Sequence, residues 1–336
     1  MKTSGDRNPE PTEPNPRYVF GPVFSRRLGQ SLGIDPLPPK TCNWNCVYCQ
    51  LGRTAPLQSR RAALVPPRDV IKEVADALSR LEEGAVDWVT FVGSGETLLH
   101  LDLGWMLRAT KDLTDLPVAV ITNGSLLSDP EVRTELVPAD AVLPSLDAGT
   151  PELFRKINRP HPGIPFRDHL SGLEAFRQEY RGRLLLEVML IHGLNDTQEA
   201  LSDLATAIQR VRPDAIHLSS PHRPPAEPWV RASGEEGFMR AISVLGSAAT
   251  VLHPAEGVLF LSNSESAMET LLGILARHPM SEAQMRRALV RWAPSQASAF
   301  LDSLEGSPRV KKTTRHGETF WVSREAVFPS GEILHS

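Results

Sequence analysis

Between Trp88 and Ser219 short apolar runs alternate with amphipathic stretches, and few chain folds accommodate such a pattern. The runs Trp88–Val92, Val118–Thr122, Ala141–Leu146, Leu184–Ile191 and Ala215–Ser219 have strand length and strand composition. Helical stretches separate and flank them at Arg68–Leu81, Gly104–Leu113, Pro151–Ile157, Phe166–Tyr180 and Thr197–Val211. In the first of these, Val70, Ile71, Val74, Ala77, Leu78 and Leu81 recur at helical spacing. Strands alternating with helices predict an α/β fold around a parallel sheet. Periodicity leaves open whether that sheet is doubly wound or a full or partial barrel. At 336 residues, 41% of them hydrophobic and 23% charged, the chain suits one large core and one small module.

The composition marks where the core begins and ends. Residues 1–17 carry four prolines among polar neighbours, bury too little to order themselves, and read as a disordered proline-rich tail. The core runs from about residue 18 to Arg231, ending in the proline-rich loop Pro221–Arg231, where a regular element cannot continue. A connecting region, 232–263, leads to a module at 264–336. There Ser266 and Glu269 have capping-box spacing, as do Ser281 and Gln284, and Ser295 opens a third helix. The β-type runs Arg309–Thr313 and Thr319–Ser323, joined through Arg315-His316-Gly317, complete a winged-helix-like pattern; a generic helical cap is the alternative.

All three cysteines fall within eight positions, as Cys42-Asn43-Trp44-Asn45-Cys46-Val47-Tyr48-Cys49. A disulfide scaffold needs more thiols, spread along the chain. Three thiols in one loop predict a metal site in a reducing compartment, and sulfur is the ligand that iron–sulfur clusters take. Four irons against three cysteines leave one iron open to an outside ligand. Structural zinc favours four protein ligands, and the next candidate would be the remote His100. Three ordinary buried cysteines are the remaining alternative, with their spacing left to chance.

The C-x3-C-x2-C spacing, with Tyr48 before the last cysteine, resembles the radical SAM superfamily. The wider stretch from Gly21-Pro22-Val23-Phe24-Ser25-Arg26-Arg27-Leu28-Gly29 through Lys40-Thr41-Cys42 to Cys49-Gln50-Leu51-Gly52 is similar to one subgroup, as is Pro221–Glu227. That subgroup comprises Fe–S oxidoreductases resembling the wybutosine-synthesis enzymes of tRNA modification. The resemblance implies a partial (β/α)6 TIM-like barrel over residues 18–231, followed by the small winged-helix-like domain. It implies a [4Fe–4S] cluster on Cys42, Cys46 and Cys49, in the loop after a first strand near Ser31–Asp35. Chemistry would occur at the carboxyl ends of the strands.

S-adenosylmethionine, the cofactor so implied, needs several kinds of polar contact. Gly93-Ser94-Gly95-Glu96 follows a strand and is similar to the family's Gly-Gly-Glu motif, with Ser94 in place of the second glycine. Its glycines permit close approach, and Glu96 suits an ammonium group. By the same analogy Asn123 and Ser145 face the methionine and ribose portions, Asn195 the adenosine, and Tyr48 packs near the adenine. Asp147 is either a substrate contact or a helix N-cap, and Asp196 caps the helix from Thr197. His217 reads as a core histidine. Arg26, Arg27 and Arg223 suit either an anionic substrate or structural ion pairs.

The function implied is reductive cleavage of S-adenosylmethionine to a 5′-deoxyadenosyl radical, with no side chain beyond the cluster assigned to catalysis. The electron would come from an external flavodoxin- or ferredoxin-like donor. RNA is the leading substrate class, on the tRNA resemblance and on Arg309, Lys311, Lys312, Arg315 and His316 at the ribbon. The alternatives are a peptide or small metabolite under the same chemistry, or a redox-sensing regulator that binds DNA. A net charge of −4 argues against bulk nucleic-acid coating. No apolar run approaches the roughly 18 residues of a membrane span, and the N-terminus lacks a secretory signal, which predicts a cytoplasmic protein.

Overall fold

A computed structural model describes residues 18–252, 267–292, 294 and 297–329. The tail at 1–17, Ser266 and Ser295 lie outside the described residues. Two sheets organise the remainder. The larger has eight strands, neighbours in sequence order. They are β1 (Val19–Ser25), β2 (Gly29–Ile34), β3 (Trp88–Phe91), β4 (Val118–Thr122), β5 (Ala141–Pro144), β6 (Arg183–Met189), β7 (Ala215–Ser219) and β8 (Ala249–Val251). The β1–β2 pair is antiparallel and every later pair parallel. This is the mixed α/β arrangement that the alternating pattern predicts.

Helices connect the parallel strands: α1 (Pro67–Leu78), α2 (Leu103–Lys111), α3 (Pro130–Leu136), α4 (Pro151–Ile157), α5 (Phe166–Glu179), α6 (Gln198–Val211) and α7 (Glu235–Leu245). Proline opens α1, α3 and α4, where its missing N–H has no partner to lose. Alternate strand residues part to opposite sides. Val118, Val120, Leu184, Leu186 and Val188 join the large core beneath the helices. Ala119, Ala141, Leu143 and Leu185 form a separate cluster with Leu28 on the other face. The connecting region is not structureless. It holds α7, which packs against α6, and β8, which pairs with β7, so the sheet continues past residue 231.

The second body has α8 (Ala267–Arg277), β9 (Met280–Ser281), α9 (Glu282–Trp292), α10 (Ala297–Glu305), β10 (Val310–Arg315) and β11 (Glu318–Ser323). Ser281 and Gln284 form the expected reciprocal capping box, Gln284 N–H to Ser281 Oγ at 3.3 Å and Ser281 N–H to Gln284 Oε1 at 3.1 Å. His316 and Gly317, at φ 50° and 81°, make the tight turn between β10 and β11. β9 adds a third strand beside β11, which the sequence pattern does not reveal. Leu271, Leu275, Met285, Leu289, Leu304 and Trp321 fill this body's own core.

It docks on the cysteine loop. Gly52 bridges to Val327, and Arg53 N–H donates to Val327 O at 2.8 Å. A Cβ on Gly52, whose φ is +80°, would lie 2.5 Å from Val327 O. Glycine is therefore required twice there, by conformation and by contact.

Candidate functional site

Four loops meet at the carboxyl ends of neighbouring strands, where α/β sheets place their ligands. The loop after β2 carries the cysteines, that after β3 Gly93–Glu96, that after β4 Asn123, and that after β5 Ser145 and Asp147. The cysteine loop has no regular structure of its own and is held from outside. Val47 N–H donates to Ile157 O at 2.9 Å, Asn45 N–H to Asn158 O at 3.2 Å, and Glu227 N–H to Val47 O at 2.9 Å. Trp44 is 2% exposed and meets Phe154 and His169 edge-on, anchoring the loop in the core. Glu227 in the proline-rich loop binds Arg53 with both oxygens at 2.8 Å and Arg159 at 2.6 Å.

The three thiols are free, and each faces an N–H donor. Cys42 Sγ accepts from Trp44 N–H at 3.4 Å and Asn123 Nδ2 at 3.9 Å. Cys46 Sγ accepts from Asn158 Nδ2 at 3.8 Å, and Cys49 Sγ from Lys40 Nζ at 3.3 Å. Burial pushes the Cys42 thiol up to about 12, with Glu96 and Cys49 adding to it. Burial also raises the Cys46 thiol well above its usual range, assisted by Cys42 and Cys49, so the three sulfurs stand within electrostatic reach of one another. Among the described residues no three Cys, His, Asp or Glu groups converge as ligands of a single ion. Donors aimed at sulfur suit metal-bound thiolates, which hydrogen bonds stabilise.

The Gly93–Glu96 turn lies against this loop. Lys40 N–H donates to Ser94 O at 2.7 Å, and Glu96 N–H to Thr41 O at 2.9 Å. A Cβ on Gly95 would fall 1.8 Å from Thr41 O. Ser94 Oγ donates to the buried Asp35 at 2.5 Å, while Gly93 N–H donates to Thr97 Oγ1 at 3.1 Å. Glu96 is 1% exposed and accepts from Leu98 N–H, Thr122 Oγ1 and Asn123 N–H. Burial raises its carboxyl to about 7 against those three bonds.

Asn123 joins the group directly, donating to Asn43 Oδ1 at 2.8 Å. Tyr48 donates its hydroxyl to Asp147 at 2.6 Å, which ties the ring to β5. Asp147 also accepts from Asn158 Nδ2 and Met189 N–H, and burial raises its carboxyl. It caps no helix, because Thr150 is the N-cap of α4. Ser145 bridges to Glu187, and its carbonyl is hydrogen-bonded by His169. Asn195 is fully buried, with both amide hydrogens on the carbonyls of Asp147 and Met189. Its side chain knits strand ends together. Asp196 accepts from Gly193 N–H and Ser233 Oγ, and Thr197 caps α6 in its place.

Sequence reasoning missed Lys40, Asn43, Asn158 and Asp35. The first two flank Cys42 and were open to inspection. Asn158 is more than 100 positions from its sulfur, and no local pattern points to it.

The ribbon's basic residues are largely engaged within the chain. Arg309 pairs with Glu269, Lys312 with Glu305, and Arg315 bonds Pro329 O beside the Phe328 ring. His316 accepts from Arg231 and lies 2.8 Å from Val230 O.

The sequence profile of the radical SAM superfamily matches residues 37–205, from the end of β2 into α6. UPF0026 protein MJ1312 of Methanocaldococcus jannaschii is 34% identical over 276 residues, 81% of this chain and 85% of that protein. A Brachyspira hyodysenteriae protein named GTPase Obg is 40% identical over 225 residues. That match takes in 67% of this chain but spans only 33% of that relative's length. A radical SAM methyltransferase from Sphaerobacter thermophilus, 18% identical, superposes with a TM-score of 0.51 over 66% of each chain, a likeness of fold. Among the described residues no helix is long and apolar enough to cross a membrane. With that profile over the cysteine loop and the strands beside it, the chain belongs to the radical SAM superfamily, enzymes that bind a [4Fe–4S] cluster and S-adenosylmethionine.

Proposed function

We propose that Cys42, Cys46 and Cys49 hold the cluster and that S-adenosylmethionine binds beside it, at the carboxyl ends of β3 to β6. The observation that carries this reading is the set of donors from different parts of the chain, one or more for each sulfur. When bound, the reduced cluster supplies the electron that splits the sulfonium of S-adenosylmethionine into methionine and a 5′-deoxyadenosyl radical. The chain's residues position and shield. Gly93, Ser94 and Gly95 offer backbone close to the cysteine loop, and Glu96 offers its remaining lone pair to an ammonium group. Asn123 and Ser145 stand over the neighbouring strand ends, and Tyr48 is held by Asp147 for packing against the adenine. Asn195 acts in this reading by fixing the β5 and β6 ends rather than by touching adenosine, since it is fully buried and its amide oxygen accepts from Ile191 N–H at 2.7 Å. Lys40 places a cation beside Cys49 and steadies Gly52 O at 2.8 Å. The docked second body covers the outer side of the loop and keeps water from it.

Sequential strand order, with every pair from β2 to β8 parallel, supports a partial (β/α)6 barrel. In this reading the core of 18–231 extends through β8 to residue 252. The body at 264–336 is winged-helix-like, on its helices and the β10–β11 hairpin. We read the protein as cytoplasmic, its free thiols suiting a reducing compartment, with a flavodoxin- or ferredoxin-like electron donor. An RNA substrate remains supported by the tRNA-enzyme resemblance, but the ribbon lends it little, since Arg309, Lys312, Arg315 and His316 already have partners. The same pairing counts against a DNA-binding regulator.

The test is anaerobic reconstitution with iron and sulfide, reduction, and measurement of 5′-deoxyadenosine. Wild type forms it, while Cys42→Ala, Cys46→Ala and Cys49→Ala do not. Tight zinc loading without iron uptake would overturn the reading. Stimulation by tRNA would select RNA among the substrates.

A further inference from the structure

The face of the sheet turned away from the helices carries charge. Along β6 the core residues Leu184, Leu186 and Val188 point toward the helices, so Glu187 points the other way, and His217 is its Cα partner on β7. Arg27, in the turn between β1 and β2, crosses to Glu187 and binds it with Nε and Nη2. Three more guanidiniums gather there. Arg277 is bound to Asp35 at 2.7 Å. Arg223 donates to Gln50 Oε1 at 2.9 Å and to His278 Nδ1 at 3.0 Å. Arg26 donates to Leu252 O at 3.4 Å. Arg26 and Arg223 have no carboxylate partner among the described residues.

The groups sense one another. Burial lowers Arg27 to about 9, with Arg26 and Arg223 contributing. Burial lowers Arg223 to about 10, and Arg26 adds to that. His278 is held neutral by burial and by all four guanidiniums, so its Nδ1 can accept from Arg223. Among the described residues, four guanidiniums face two carboxylates, an excess of two positive charges on partly buried side chains. Uncompensated charge there is costly unless something completes it. His217 Nδ1 is likewise buried without a hydrogen-bond partner, beside Arg27.

We propose that Arg26 and Arg223, backed by the Arg27–Glu187 pair, form a subsite for a terminal phosphate group on the substrate. A phosphate monoester carries close to two negative charges at neutral pH, which matches the excess, whereas a carboxylate or a backbone phosphodiester carries one. The subsite borders the cysteine loop, because Gln50, the partner of Arg223, follows Cys49 directly and also donates to Arg277 O at 3.0 Å. A substrate anchored there lies next to the loop. This inference deepens the functional reading above and rests on it for the word substrate.

The experiment is calorimetric titration of the full-length protein with inorganic phosphate, in parallel with an oligoribonucleotide that lacks terminal phosphates. Wild type binds phosphate, and Arg26→Gln and Arg223→Gln each weaken it about tenfold or more, the loss of one charge-assisted contact. Glu187→Gln, which frees Arg27, tightens it. Thermal melts check that the variants fold, and Arg26→Gln is the safer one because among the described residues Arg26 holds one long bond. No phosphate binding, equal binding by the arginine variants, or preference for the oligonucleotide would overturn the proposal. Phosphate binding without deoxyadenosine formation would sink the functional reading and leave the subsite standing; deoxyadenosine formation without phosphate binding does the reverse.

Discussion

Replacing Gly95 by alanine tests how the cofactor turn and the cysteine loop support each other. The added Cβ would sit 1.8 Å from Thr41 O and 2.4 Å from Thr41 C, both backbone atoms next to Cys42. An ordinary carbon–oxygen contact is about 3.3 Å, so one strand of backbone must move by about 1.5 Å. No rotamer change relieves this. The movement breaks the Lys40–Ser94 and Glu96–Thr41 hydrogen bonds, each contributing about 1 kcal/mol, and adds an overpacking cost of about 1–3 kcal/mol. Gly95→Ala should therefore cost about 3–5 kcal/mol, a large part of a typical folding stability. Urea unfolding measures that loss, and iron and sulfide content after reconstitution should fall with it. Gly93→Ala is the comparison, since its Cβ would meet the Leu37 side chain instead of backbone. A Gly95→Ala protein that keeps wild-type stability and a full cluster would refute the argued contact.

Glu227→Gln should destabilise by about 1–2 kcal/mol in urea unfolding. The cost is below the 3–5 kcal/mol of a broken buried pair because Arg53 and Arg159 are 42% and 36% exposed and can rehydrate. The Arg53 hydrogen bond, then Arg159, hold the Glu227 carboxyl below its usual range. Its contribution is thus present above the ordinary glutamate pKa and lost as pH falls through the lowered value; Glu227→Gln should flatten that acid limb, and an unchanged slope would contradict the assignment. Lys40→Met removes the cation beside Cys49 and should make the cluster harder to reduce, lowering its midpoint in an EPR-monitored titration. Gly273→Ala, inside α8 with nothing among the described residues within 4 Å of the new methyl, should stabilise by about 0.5–1 kcal/mol; a destabilised variant would mean that the helix packs more closely there.

Local patterns were enough for the strands β3 to β7 and for α1, α2, α4, α5 and α6, since burial on a strand or helix face is written at spacings of two to four residues. They failed where length or neighbours decide. The short helix α3 was not read from the sequence, and β9 is a two-residue strand made by pairing with β11. Both α7 and β8 follow a proline-rich loop that hides the resumption of the alternating pattern. At the site, the cysteines and the Gly93–Glu96 turn were readable because their chemistry requires particular residues at fixed spacing. Asn195 was readable as polar and near the strand end, but only the fold shows its amide on two main-chain carbonyls.

By itself the sequence determined the α/β class, the cysteine loop and the chemistry that three closely spaced thiols permit, because these depend on residues a few positions apart. The tertiary structure alone decided which partners those residues meet. It brought Asn158 to Cys46 and Arg27 to Glu187, and turned most of the ribbon's basic side chains onto acids and carbonyls of the same chain. Such contacts depend on sheet register and on how a second body docks, and charge acts through space on whatever that register places beside it.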